Sequence, residues 1–365
     1  MTGTSHARTL RIAFAAIGAA LIVFLTGSDW SYGVAGRDGL QSLGGGRYRS
    51  EVLSAVPAKG LSGLKITGSP NIGGQIILTT GPSDSVRAQI TEILRGESPE
   101  IAAEMEENIT VELRPAGNQL RLSIKTPAGA PWEGTDRGVS VDITMSIPRD
   151  WDVDIDARYF EYDMDGPFRD VVINTEFGKV KLNDVTRSTD VRGSYTSIEL
   201  SDVRGNVAAR TSYADLSVRQ AIPAADRPVK LGNNSGAITV EELAGAVIAE
   251  TQYAPIILSE VSLIGGTTRI YCQAAPVDVS INEFGRAQLD IRTSQSPVTL
   301  NVPKHLSARM NVQVGRGGTI HAGGLVIQTH ADQLSRNRLE GICGNGGGII
   351  DIEATGASMV SIQGM

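Results

Sequence analysis

The sequence predicts a mainly β fold, a parallel β-solenoid of about seven to eight rungs preceded by a small strand-rich region with one or two short helices. Three observations predict it: a phrase that recurs every 18 to 22 residues, apolar residues alternating with polar ones inside each phrase, and a composition of 42 Gly with only 5% aromatics. Short strands and turns suit that composition better than a helical bundle does. A chain of 365 residues is long enough to bury a large core. Its formal net charge of −7 argues against nucleic acid or an anionic lipid surface as the main partner.

In chain order, Arg8 and Arg11 precede an uncharged apolar run from Ile12 to Thr26, so residues 1–27 read as a signal peptide or an N-terminal membrane anchor. Cleavage at Thr26-Gly27-Ser28 or Val34-Ala35-Gly36 would release the chain, whereas retention would hold it on a membrane. Positive charge ahead of the run places the remainder outside the cytoplasm in either case: in the periplasm, at the cell surface or secreted. Residues 28–60 are rich in Gly and Ser and read as a tether.

Residues 61–150 carry short β signals at LKITG (64–68), GQIILTT (74–80), ITVEL (109–113), QLRLSI (119–124) and VSVDITMSI (139–147). Val86, Ile90, Ile93 and Leu94 fall at helical spacing behind Ser83 or Asp84 as N-cap, which predicts a short helix, with a second from Pro99 to Glu107. WDVDIDA (151–157) alternates strictly, with Asp152, Asp154 and Asp156 on one face as a solvated row.

The solenoid repeats occupy 151–365. Taking Tyr195 as the anchor of its rung, the anchors are Phe177, Tyr195, Tyr213, Ser235, Tyr253, Ala274 and Gln295. Three residues later stand Val180, Ile198, Leu216, Ile238, Ile256, Val277 and Val298. Five later stand Leu182, Leu200, Val218, Val240, Leu258, Val279 and Leu300. Each rung thus holds a half-buried strand of period 2. A second strand precedes each anchor, carrying Val191, Ala209, Leu231, Ala249, Ile270 and Ile291. Gly193, Thr211, Asn233, Thr251, Cys272 and Thr293 then form a small, mostly polar column for an inner corner that hydrogen-bonds along the stack. The extra residues of longer rungs, such as AIPAADRP (221–228), fall between the strands, as in solenoids. Residues 301–340 are less regular, their QTHADQLSRNRLE piece reading as a loop or short helix, and IIDIEA and SMVSIQ close the chain as a capping rung.

The rung phrases FGKVKLNDV, YTSIELSDV, SGAITVEEL and APVDVSINE, with the lead-in MSIPRDWDVDIDA and the Gly-rich tail, resemble the bacterial putative-adhesin family of β-strand-repeat envelope proteins, over roughly residues 60 to 363. The resemblance implies an extracytoplasmic, non-enzymatic β-solenoid of adhesive or structural role, and it brings no catalytic residues. Only Gly178 and Gly236 keep the glycine that the family places after the anchor. Tyr195, Tyr213 and Tyr253 bring bulk to the corner instead.

Two outward columns are candidate sites. Phe177, Tyr195, Tyr213 and Tyr253 form a corner aromatic ladder that reads first as structural and second as a surface for sugar rings. Asp184, Asp202, Glu242 and Glu260, with Gln220 among them, form an outward acidic ladder. Calcium would suit its oxygens, but the tight Gly/Asp nonapeptide of cation-binding rolls is absent, so ordinary solvation is the simpler reading. The sequence implies no catalytic, cofactor-binding or metal residues. His6, His305, His321 and His330 are scattered, and neither GxSxG nor HExxH occurs. Cys272 and Cys343 could pair in an exported protein or stand as isolated thiols. GNGGG (344–348) lacks the flanking strand, helix and Lys of a phosphate loop and reads as a turn.

The expectation is a non-enzymatic envelope protein binding an extended partner, a polysaccharide or an envelope protein, through its solenoid faces, with a membrane partner only through the N-terminal segment. The alternative is a polysaccharide lyase or hydrolase of the parallel β-helix type, which short, nearly loop-free rungs disfavour. An end-to-end polymer is disfavoured by the covered ends.

Overall fold

The computed structural model describes residues 35–82, 84–225, 227–329 and 334–365. The segment expected to be a signal or anchor, the expected Ser83 cap, His6 and His330 lie outside the described residues. Among those described, the chain forms 28 strands and one helix, with all strands joined in a single sheet. The sheet is mixed rather than purely parallel.

Its parallel part consists of two ladders fed by alternate stretches of chain. Val180, Ile198, Leu216, Ile238, Ile256, Val277 and Val298 stand in one register, and Val360 continues it. In the other ladder Ile155, Ile173, Val191 and Ala209 are in register, followed by Leu231, Ala249, Ile270 and Ile291, then Ile352 and Val312. All of these side chains are buried in one continuous hydrophobic cluster. Strand alternation explains this: every second residue of a turn points inward, and each buried aliphatic side chain contributes roughly 1.5–3 kcal/mol.

At both ends the turns are stacked out of chain order. The turn made by Gly63–Gly68 and Gly73–Gly81 lies between the strands Gln119–Lys125 and Gly138–Pro148 on one side and residues 152–165 on the other. At the far end, Gly348–Thr355 and Met359–Gly364 slide between residues 288–302 and the strands Ala308–Val314 and Thr319–Gly323. The closing strands are therefore not the cap that their position in the sequence predicts. The outer layer is 308–323, followed by the antiparallel strand Arg338–Cys343. Residues 308–314, expected to be irregular, bury Ala308, Met310, Val312 and Val314 in strict alternation.

The antiparallel part corrects two further expectations. Residues 35–57 are not a tether but the strands Ala35–Gly44 and Arg47–Pro57, paired through a turn in which Gly44, Gly45 and Gly46 all take positive φ. Such backbone suits glycine, so the glycine run builds a hairpin rather than a linker. Residues 86–94 are not a helix. They lie in strand Ser85–Arg95, paired antiparallel with Arg47–Pro57 and with Gly138–Pro148. Its buried positions are Val86, Ala88, Ile90, Glu92 and Leu94, a period of 2 in which an inward Glu92 masks the alternation.

The single helix among the described residues is Pro99–Glu107. Ser98 caps it by accepting the Ile101 N–H, Pro99 opens its first turn, and Asn108 ends it with its side-chain amide on the Glu104 carbonyl. It buries Ala102 and Met105. No helix among the described residues is long and apolar enough to cross a membrane, and the run Ile12–Thr26 falls outside them. Cys272 and Cys343 are free and buried. Cys272 donates to the Ala275 carbonyl at 3.0 Å, Cys343 touches the Met310 sulfur, and burial pushes both thiols up. They form no disulfide.

Candidate functional site

Each turn passes an inner polar corner just before its anchor. There Thr175 donates to the Arg158 carbonyl, Thr211 to those of Ser194 and Thr196, and Asn233 to that of Ala214. These side-chain bonds tie each corner to a neighbouring carbonyl, those of Arg158 and Ser194 also accepting backbone N–H groups from the next turn, and fix the corner's direction. The anchor side chain is thereby aimed outward at the same height in every turn.

Backbone bonds hold the anchors in one column: Tyr195 N–H to Glu176, Tyr213 N–H to Ser194, Ser235 N–H to Ser212, Tyr253 N–H to Asn234 and Ala274 N–H to Gln252. On this column Tyr159, Phe177, Tyr195 and Tyr213 stack face to face. Their ring centroids are 5.2, 4.9 and 4.7 Å apart, and no interplanar angle exceeds 13°. All four rings are exposed. Tyr253 stands on the same column, 61% exposed, but is separated from the stack by Ser235. Sequence reasoning missed Tyr159, although it precedes Phe177 by the repeat spacing of 18 residues.

Cofacial packing limits what the stack can do. A sugar ring or aromatic ligand binds to an aromatic face, and the faces of Phe177 and Tyr195 are already covered by their neighbours. The stack therefore offers a ridge of ring edges, stabilised by about 0.5–1.5 kcal/mol per pair.

The acidic ladder proves to be a conformational column. Asp184, Asp202, Gln220, Glu242 and Glu260 all have positive φ, between 47° and 59°. The second corner of each turn is thus a left-handed residue, and none of these five is a glycine. Asp150 and Gln295 share this backbone state. Arg204 pairs with Asp202 at 3.2 Å, and Glu242 accepts from Gln220 at 2.9 Å and from Arg219 at 3.4 Å. Burial, then the charge of Asp202, pushes the Asp184 carboxyl up. Among the described residues, no group of three or more His, Cys, Asp or Glu is disposed to hold a metal ion. Asp152 and Asp154 are not merely solvated: Arg169 binds Asp152 through two nitrogens, and Lys65 reaches Asp154 at 2.6 Å.

Several hollows lie in the antiparallel end sheet. One of about 410 Å³ is lined by Leu53, Ala55, Ala88 and Met145, with Arg87 at its edge. A second, of about 320 Å³, lies beside the Gly45–Gly46 turn and carries Arg95, Glu97, Asp136 and Arg137.

No family model matches the chain, and no curated protein matches it. Two solved structures are similar in part. A putative cell adhesion protein from Clostridium sporogenes is 10% identical, the match covering 87% of this chain and all of that one at a TM-score of 0.21. A putative adhesin from Bacteroides fragilis is 12% identical, the match covering 86% of this chain and 96% of that one, also at a TM-score of 0.21. At that score neither likeness carries an argument about architecture or role.

Proposed function

We propose that the chain is a non-enzymatic cell-envelope β-solenoid, adhesin-like or structural, that binds an extended partner along its outward faces. The parallel ladders are its rungs, and the partner is a surface polysaccharide or another envelope protein. The N-terminal apolar segment directs the chain out of the cytoplasm, either holding it on a membrane or being removed on export. The observation that carries this reading is the exposed ring column, which repeats one contact at strand pitch along the axis. A linear partner meets such a column at several points at once, and weak contacts then add through proximity.

The test is co-sedimentation of the purified protein with envelope fragments and with insoluble polysaccharides. Retention by at least one fraction, without release of new reducing ends, is the expected outcome. Failure to bind any fraction would overturn the reading. The hollow with Arg95, Glu97, Asp136 and Arg137 favours the alternative, a polysaccharide-cleaving enzyme, because it gathers charged groups on one edge. Release of reducing ends by wild type, lost in Asp136→Asn, would establish that alternative.

A further inference from the structure

Within the aromatic stack, ring faces are free only at its two ends. Beyond Tyr213 the column continues with Ser235 and then Tyr253, each fixed by its backbone bond to the preceding turn. The register supports this placement, since Leu216, Ile238 and Ile256 are successive partners three residues after these anchors. Two turn steps therefore separate Tyr213 from Tyr253, about 9.6 Å at normal strand spacing. Rings in the stack sit 4.7 to 5.2 Å apart, so the place above Ser235 has the height of one missing ring.

We propose that the gap between Tyr213 and Tyr253 is a binding slot for one neutral pyranose ring of a glycan. This inference rests on the envelope-binding reading above and assigns it a ligand class and a place. A pyranose offers axial C–H groups on both flat faces and hydroxyls around its edge. The slot offers an aromatic side chain above and below, with the Ser235 hydroxyl between them. Exposed Gln252 and the two phenol groups supply further polar partners at its border.

The floor is rigid. The Asn233 side chain accepts the Asn234 and Gly236 N–H groups and donates to the Ala214 carbonyl at 2.7 Å. Any Cβ at Gly236 would run into that same carbonyl oxygen. A slot held this firmly loses little freedom on binding. Its charge selects against acids: Asp215, two residues past Tyr213, is exposed and held by the Ala237 N–H at 2.9 Å. A uronate or phosphorylated ring would meet that carboxylate, whereas a neutral ring would not.

The probes are cellohexaose, xylohexaose, mannohexaose and chitohexaose, with hexagalacturonate as the acidic control, titrated into the full chain by calorimetry. The expected result is binding of at least one neutral hexamer and none of the acidic one. Ser235→Tyr supplies the missing ring from within, so it should abolish binding while leaving the thermal midpoint equal to or above wild type. Tyr253→Ala should weaken binding at least roughly tenfold, the loss of one stacked face. Tyr195→Ala, inside the stack, should stay within about twofold of wild type.

Wild-type affinity retained in Ser235→Tyr would overturn the slot. So would failure of every neutral hexamer to bind, even if the protein still co-sediments with envelope fragments, in which case the broader reading stands alone. Loss of self-association in Ser235→Tyr, without any sugar binding, would assign the gap to a ring from a second copy and overturn the glycan.

Discussion

The middle of the molecule and its two ends use the same strand pairing but different bookkeeping of the chain. From residue 177 to 284, each turn pairs with the turn just before it and the one just after, 17 to 22 residues away. At the ends the partners are distant: Gly63 pairs with Gln119 and Asp152, and Ile352 with Ile291 and Val312. A sequential stack can form turn by turn, because every new turn closes a short loop on its predecessor. An intercalated turn must close long loops on both sides before its burial is complete. The difference teaches that the ends act as clasps on a middle that is otherwise modular.

The sharpest way to break that distinction is Ile352→Asp, which places a carboxylate between Ile291 and Val312 inside the clasp. A loss above about 4 kcal/mol is expected. Hydrogen exchange should show 308–343 opening with it while 198–218 stays protected, and equal deprotection of both regions would erase the distinction. Leu200→Ala, in a middle turn between Leu182 and Val218, should cost about 2–5 kcal/mol by denaturant melt.

Arg292→Ala probes the polar side of the clasp. Arg292 binds Asp290 at 2.7 Å, Asp351 at 3.0 Å and Glu353, tying the intercalated turn to the last sequential one. The group is partly exposed, so a loss of about 1 kcal/mol is expected, shrinking in molar salt. Gln220→Gly should gain roughly 0.5 kcal/mol, because its left-handed backbone suits glycine, whereas Gln220→Val should lose about 1–2 kcal/mol.

The smallest expected effect is that of Asp184. Its folded carboxyl is pushed above the ordinary range, so its contribution to stability is greatest below the usual carboxylate pKa and is lost as pH rises through the lifted value. Asp184→Asn should flatten that decline in thermal midpoint. An unchanged pH profile would discount the burial.

The same comparison explains what was legible in the sequence. Val180, Ile198 and Leu216 recur in the sequence because they recur in space, so the inner columns and the corner rings could be aligned by spacing alone. The clasp could not, since nothing local in IIDIEA names Leu289 or Met310 as its neighbours. Glu92 disguised a strand as a helix by turning inward where an apolar residue was expected. The left-handed corner was hidden because Asp, Gln and Glu stand where glycine would announce positive φ. Of the candidate slot, the sequence displayed the break at Ser235, but its height and rigid floor came from the backbone bonds around it.

The clasp also bears on mechanical load. Tension applied beyond Gly364 runs along a strand flanked in parallel by Val298–Val302 and Thr319–Gly323. Pulling that strand out shears two rows of hydrogen bonds at once instead of peeling one bond after another. A strand gripped in this way resists extraction through two ladders rather than one.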